Sequence, residues 1–413
     1  METLSDKLKS LGVHLGAPKP KEKPENVYFP IEDIISGVYR KSNFGRAFVH
    51  SEEYSIHYRH GNVQLCELKP ISKILAWSGL GLPADVPLNS ILFLDTETSG
   101  LSGGTGTLVF MVGIGFLKDD GFQVEQFFLS NPDQETEFLN SLSESLSNFS
   151  VLVTYNGKAF DGPLLNTRFD LNHITSPIRS FSHIDLLPLA RRIWKYRLES
   201  RSLKNIELEI LQTQRTQEEI PGWEIPQIYF DYLRSEDARP LKGVFYHNAM
   251  DVLSLAALFQ FLAGFTEDPF SIPAPDSIDL VALANFYEDL GDLDLAARYY
   301  EIGLKEHLPG ELHFNTLRRF ARMHKKRQNW EQALLLWQSG CSEDDLYSLI
   351  ELAKFYEHHE KSPEKALDFV RIAMKISKAN KDFINNSAFS EAEINKRAVR
   401  LEGKIRTAKL NQT

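Results

Sequence analysis

Ile91-Leu92-Phe93-Leu94-Asp95-Thr96-Glu97 is the stretch that decides the fold. A short apolar run of this kind reads as a buried strand, and it ends in two acids separated by one residue. Side chains at i and i+2 of a strand leave on the same side, so Asp95 and Glu97 project together from the mouth of a sheet. Two carboxylates ~4 Å apart repel by roughly 4 kcal/mol at an effective dielectric near 20. A site that keeps both usually holds a cation between them. Asp-x-Glu by itself is a common triplet, and its meaning depends on what surrounds it.

Downstream, the glycine-rich stretch from Gly100 to Gly106 is followed by no Gly-Lys-Ser/Thr. It therefore reads as a tight turn and not as a phosphate-binding loop. The apolar runs 108–117 and 122–129 flank Lys118-Asp119-Asp120-Gly121, a hairpin signal. Glu135 to Leu146 carries Phe138, Leu139, Leu142 and Leu146 at helical spacing. Ser150 to Asn156 reads as another strand, and Gly162 to Phe169 as a helix with Pro163 in its first turn. Strands first, then alternating helix and strand, predict an α/β mixed sheet with helices on its faces.

Residues 1–88 read as an N-terminal extension, with a flexible arm at Ala17–Asn26 and a small β-rich cap from Ile31 to Ala84. The sheet domain is expected over 89–265 and a proline- and acid-rich linker over 266–279. Beyond it the chain is helical and repetitive. Leu283-Ala284, Phe320-Ala321 and Leu352-Ala353 open three similar units. Their second helices centre on Ala296, Ala333 and Ala366, 37 and 33 positions apart, with Tyr300, Trp337 and Val370 four places later. These spacings bracket the ~34 residues of a tetratricopeptide unit, so 280–376 is expected to be an all-α tetratricopeptide-like repeat domain. The tail, 377–413, is expected to be helical, opened by a Ser390–Glu393 capping box.

With 413 residues, 42% hydrophobic and 25% charged, the chain has the composition of two or three ordinary globular domains. That excludes global disorder, collagen-like repetition and a disulfide-stapled scaffold. The two cysteines, Cys66 and Cys341, form neither a metal-ligand spacing nor a disulfide framework. METLSDKLKSLGVHLG lacks the apolar core of a secretory signal, and Leu108–Leu117 is about half of a membrane span. A cytoplasmic, membrane-independent protein is expected. A net charge of −10 argues against a protein that merely coats nucleic acid, though not against an enzyme with a local basic groove.

Further acids fall at informative places. Asp161 closes Thr154-Tyr-Asn-Gly-Lys-Ala-Phe-Asp161, just past a strand where a helix begins. His247 and Asp251 lie four apart on a helix and share a face. A helix cap for Asp161 and a surface pair for His247 and Asp251 are the plain alternatives when each is taken alone. Together and in this order, DTETSGL, TYNGKAFD and HNAMD resemble the three motifs of DEDD-type 3′–5′ exonucleases of the ribonuclease H-like superfamily. SGLSGGTGT, TYNGKAFDGPLL, HIDLLPLARRIW, SLKNIE, IPGWEIPQIYFDYL and HNAMDVLSLAAL resemble more closely the YprB-like family of predicted exonucleases, whose members often carry tetratricopeptide repeats.

The resemblance implies that Asp95, Glu97, Asp161 and Asp251 hold two Mg²⁺ or Mn²⁺ ions, hard cations that prefer carboxylate oxygen. It implies that His247 deprotonates or positions the attacking water. The sequence departs from the family pattern here: the histidine-class base usually stands five before the last aspartate, where this chain has Tyr246. His247 is preferred because i and i+4 share a helical face, with Tyr246 the second candidate. Leu101 is either a wedge against a terminal base or ordinary core. Asn156 is either a backbone contact or a turn residue, and Asp185 is expected to give a supporting hydrogen bond. Arg191, Arg192, Lys195, Arg201 and Lys204, interleaved with Trp194 and Tyr196, read either as a single-strand groove or as a solvated helix face. The expected activity is metal-dependent 3′–5′ hydrolysis of DNA or RNA, with a protein partner on the repeats. A non-catalytic scaffold and a structure-selective endonuclease are the alternatives.

Overall fold

In the computed structural model, the described residues are 29–42, 45–67, 69–100, 106–271, 276–342, 345–379 and 390–410. The expected flexible arm and Leu101 lie outside them. The strands are β1 (Val38–Ser42), β2 (Gly45–Ser55), β3 (Arg59–His60), β4 (Val63–Gln64), β5 (Ile91–Thr98), β6 (Val109–Lys118), β7 (Gly121–Phe128), β8 (Val151–Thr154) and β9 (Ser182–Asp185). Helices α1 to α5 are Ile31–Ile34, Ser72–Ser78, Glu135–Leu146, Asp161–Leu171 and Leu186–Ile193. Helices α6 to α10 are Leu203–Ile206, Ile225–Ser235, Leu241–Glu267, Ser277–Leu290 and Leu293–Lys305. Helices α11 to α15 are Gly310–Lys326, Trp330–Ser342, Leu346–His358, Pro363–Ala379 and Glu391–Leu410.

The chain divides into two units. One comprises residues 1–69, 85–186 and 202–261; the other comprises 70–84, 187–201 and 262–413. The first holds a seven-stranded sheet in the order β1-β2-β7-β6-β5-β8-β9. β5, β8 and β9 run parallel, and the remaining pairs are antiparallel. This is the mixed sheet expected from β5 outward. The hairpin closes with Lys118 opposite Gly121. β6 is buried from Val109 through Gly115 and β8 at all four positions, as befits strands covered on both faces. Residues 38–55, set apart in the sequence reading, pair directly onto the hairpin: β2 runs along β7 from Phe48 opposite Phe128 to Ser55 opposite Gly121.

α8 is predominantly apolar, with His247, Asn248 and Asp251 among its few polar residues. Its most apolar window has a mean hydropathy of 1.6, enough by length and composition to cross a membrane, yet 78% of that window is buried inside the fold. A helix this apolar belongs largely in a core. β5 carries a register shift between Glu97 and Thr98, a bulge of the kind that re-aims side chains beside active sites.

In the second unit helices pair in sequence: α9 with α10, α11 with α12, α13 with α14, and α14 with α15. Ala284, Ala296, Ala321, Ala333, Ala353 and Ala366 are buried, and Tyr300, Trp337 and Val370 fill the adjoining space. The small residues let the helices of each pair approach closely, as the repeat pattern predicts. Aspartates cap these helices: Asp276, Asp292 and Asp345 accept from the backbone N–H groups of Ile278, Leu295 and Ser348. Ser390 Oγ accepts from Glu393 N at 3.3 Å, the expected start of the last helix. Of the segment read as a linker, residues up to Glu267 continue α8, and Ser277 already begins α9.

Candidate active site

Three elements of the sheet unit deliver the acids. β5 ends at the bulge with Asp95 and Glu97; the β8–α4 connection ends at Asp161; α8 presents His247 and Asp251 one turn apart. The β8–α4 loop is held open by Asn156 in the left-handed region at φ 67°. That conformation is costly without local support, and Asp185 at the end of β9 provides it. The Asp185 carboxylate accepts from Asn156 N at 2.8 Å and from Lys158 N at 3.2 Å. Asp185 thus holds the loop that carries Asp161, the supporting hydrogen bond expected of it, while the Asn156 side chain is exposed.

The acids share one electrostatic neighbourhood. Burial raises the Asp95 carboxyl well above its ordinary value, and the charges of Asp251, Glu97 and Asp161 raise it further. Glu97 is raised by burial and by Asp251 and Asp161, with Arg215 opposing. Asp161 is pushed up to about 6 by burial, against the Thr96 hydroxyl that donates to it and its own backbone N–H. Asp251 is raised by burial, against the pull of Arg215 and His247. Glu97 is only 9% exposed and makes no hydrogen bond to any described residue. A carboxylate crowded by other acids is unfavourable unless a cation joins it.

The donor set fits a hard divalent cation: four carboxylates in one electrostatic neighbourhood. As they stand, no three His, Cys, Asp or Glu side chains among the described residues are grouped closely enough to hold a metal ion. One Asp251 oxygen is engaged by Arg215.

Several buried residues that the sequence reading passed over fix this arrangement. Asn248, fully buried, donates from Nδ2 to Asp95 Oδ2 at 2.9 Å, and its Oδ1 accepts from Gln126 Nε2 at 2.9 Å. The fit is so close that a Cβ at Gly113 would stand 2.2 Å from Asn248 Oδ1. Arg215, its side chain 7% exposed, joins Asp251 to two further acids. Nε and Nη2 donate to Glu207 at 2.8 and 2.5 Å, and Nη1 to both Glu219 oxygens at 3.1 and 3.2 Å. Glu207 sits in a π-turn, Glu207–Leu211, directly after α6, a distortion that recurs at functional sites. His247 Nδ1 lies 3.1 Å from Glu219 Oε1, and its Nε2 lies 3.5 Å from Asp251 Oδ2. Tyr246, the second candidate base, accepts from Thr216 N at 2.8 Å and so serves the loop instead. Asn248 was hidden as the spacer of HNAMD, and Glu207 as the last residue of SLKNIE. Arg215 and Glu219 stand in an irregular loop with no periodicity to mark them.

The basic stretch is divided between the units. Arg191, Arg192, Lys195 and Arg201 belong to the helical unit and Lys204 to the sheet unit. Arg192 pairs with Asp289 and donates to Asn285 O at 2.8 Å, and Arg201 donates to Leu198 O and Glu199 O. Arg191 and Lys195 are exposed, with the Lys195 ammonium 4.9 Å from the Tyr196 ring centroid. Lys204 is 71% exposed, 3.9 Å from Glu219.

Comparison with known proteins agrees with this architecture. A family model described as the RNase_H superfamily matches residues 92–263, the segment that carries all four acids and His247. Over 359 residues the chain is 31% identical to the Bacillus subtilis (strain 168) protein named "Uncharacterized protein YprB", covering 84% of this chain and 83% of that one. Among solved structures, the family B DNA polymerase of the hyperthermophilic archaeon Pyrobaculum calidifontis is similar over 51% of this chain at 19% identity and a TM-score of 0.34. The match spans 29% of that polymerase's length. The chain belongs to the YprB-like family, with a ribonuclease H-like domain built on the mixed sheet.

Proposed function

We propose that this protein is a divalent-metal-dependent 3′–5′ exonuclease acting on DNA or RNA, with its helical repeats serving as a partner-binding module. The observation that carries the reading is the convergence of Asp95, Glu97, Asp161 and Asp251 in one electrostatic neighbourhood, where burial raises each carboxyl. Asp95, Glu97, Asp161 and Asp251 would hold Mg²⁺ or Mn²⁺. Once bound, such ions supply Lewis-acid stabilisation of the reacting phosphate and favour deprotonation of water. Asn248 orients Asp95, and Thr96 orients Asp161. His247 receives the proton at Nε2, the nitrogen turned toward Asp251. The 3′–5′ polarity rests on the family resemblance. Exposed Lys204, on the sheet unit, supplies phosphate attraction.

The test is a panel of single- and double-stranded DNA and RNA, blocked at either end, with Mg²⁺ or Mn²⁺. Wild type should shorten strands from a free 3′ end, and Asp95→Ala should cut the rate by at least about 100-fold, roughly 2.7 kcal/mol of barrier. Cleavage of a circular single strand would make the enzyme an endonuclease. A second reading, a scaffold that binds without cutting, is favoured by the absence of a preformed three-ligand cluster among the described residues. It predicts oligonucleotide binding with no products at any metal concentration.

A further inference from the structure

We propose that Trp223 is a stacking platform for an unpaired base of the substrate strand; the proposal deepens the nuclease reading and rests on it for the identity of the ligand. Tryptophan is large and highly buried on average. Trp194 and Trp337 are each 1% exposed, whereas Trp223 is 72% exposed, more than any other large hydrophobic residue among those described. A single apolar side chain at a surface needs no explanation of its own, but the place of this one gives it a meaning. Trp223 follows Gly222, and a Cβ at Gly222 would stand 3.8 Å from both Cε1 and Nε2 of His247. The main chain one residue before the indole is therefore in van der Waals range of the candidate base. His247 and Asp251 are themselves part-exposed, and Pro221 and Gly222 lie at the surface. An exposed ring thus stands next to the open side of the acid cluster.

The turn that carries the ring is built in advance of any ligand. Glu224 N donates to Pro221 O at 2.9 Å, and α7 begins at Ile225 with Pro226 in its first turn. Ile220 packs onto α8 where Gly243 leaves room for it: a Cβ there would meet Ile220 Cγ2 at 2.7 Å. Prolines at 221 and 226 restrict the backbone further. A platform ordered before binding loses little freedom when the ligand arrives. The chemistry of the loop selects the part of the nucleotide it can take. Residues 216–226 contain Glu218, Glu219 and Glu224 but no lysine or arginine, so the loop repels phosphate and offers the π-face of an indole. The cation for phosphate stands elsewhere: Lys204 lies 3.9 Å from Glu219, which is 3.1 Å from His247 Nδ1, while Gly222 lies at the Cε1–Nε2 edge. Every base has a π-face, so such stacking tolerates any sequence. A base inside a duplex is already covered on both faces, so the platform serves an unpaired one.

The experiment measures binding of 5′-fluorescein-labelled oligonucleotides by fluorescence anisotropy, in excess chelator so that nothing is cleaved. Full-length wild type, Trp223→Phe and Trp223→Ala are compared. Trp223→Ala should bind a single strand roughly 5- to 50-fold more weakly than wild type, and Trp223→Phe, which keeps an aromatic face, should stay within about threefold. Both variants should melt with wild type, because an exposed side chain contributes little to folding. A strand made abasic at its 3′-terminal positions, and a fully paired duplex, should bind wild type and Trp223→Ala within about twofold of each other. Equal affinity of wild type and Trp223→Ala for the intact single strand overturns the proposal. So does an equal loss on the abasic strand or the duplex, or a wild type that binds no single strand. The two readings fail separately. Wild type that cleaves with Mg²⁺ or Mn²⁺ while its affinity ignores Trp223 overturns the platform alone. Wild type whose binding depends on Trp223 and on the 3′ bases, but which cleaves nothing, overturns the nuclease alone.

Discussion

Replacing Glu97 with glutamine removes one charge from a crowd of like charges while keeping the side-chain shape. Glu97 is buried, repelled by Asp251, Asp161 and Glu219, and partly offset by Arg215. At an effective dielectric near 20, a like pair within one neighbourhood costs on the order of 2 kcal/mol. Three repulsions less one attraction and the residual burial cost of an amide leave a relief of at least about 1–2 kcal/mol. In a domain of this size that corresponds to a melting temperature higher by roughly 2–6 °C. Thermal melts in excess chelator should therefore find Glu97→Gln more stable than wild type. Saturating Mg²⁺ should reverse the order: a ligand at ~100 times its Kd adds about 2.7 kcal/mol to wild type, and the variant, lacking one carboxylate of the cluster, should gain much less. A variant that melts below wild type in chelator, or that gains as much from Mg²⁺, would refute the reasoning.

Asp161 titrates near 6 in the fold against an ordinary 3.8, so its protonated form is favoured by folding. The stability it contributes is intact below about pH 4 and lost as pH rises toward 6. The stability of metal-free Asp161→Asn relative to wild type should accordingly rise by about 2–3 kcal/mol across that window in denaturant titrations; a flat difference would contradict the shift. Arg168 donates from Nε and Nη2 to buried Glu135 at 2.6 Å each, so Arg168→Met should cost about 3–5 kcal/mol by stranding the carboxylate. Denaturant melts check this, and a loss under ~1 kcal/mol would show the pair to be dispensable. Lys204→Ala, removing a cation 71% exposed, should weaken oligonucleotide binding and flatten its salt dependence by about one phosphate contact without lowering the melting temperature. An unchanged salt slope would remove Lys204 from the substrate path.

What could be read in the sequence was local. β5, the β6–β7 hairpin, α3 and the paired helices each show their period within a short window, and buried alanines such as Ala296, Ala333 and Ala366 mark the repeat directly. Asp95, Glu97, Asp161, His247 and Asp251 were legible because the motifs fix their order. The pairing of β2 with β7 was not, since strand register between distant segments leaves no local trace. Arg215 and Glu219 were hidden for a similar reason: their meaning lies in Asp251 and His247, which reach them only through the fold. The basic stretch shows the converse. Arg192 and Arg197 have the composition of a nucleic-acid groove, yet Asp289 and Asp279, far along the chain, engage them.

The account rests on carboxylates brought together to bind a divalent cation, and a Mn²⁺-soaked crystal tests that most directly. Anomalous scattering should show a peak coordinated by Asp95 and Glu97 within the acid cluster, absent from crystals of Asp95→Ala. A soak that leaves the cluster empty at millimolar Mn²⁺, or that places the ion only elsewhere on the surface, would contradict it.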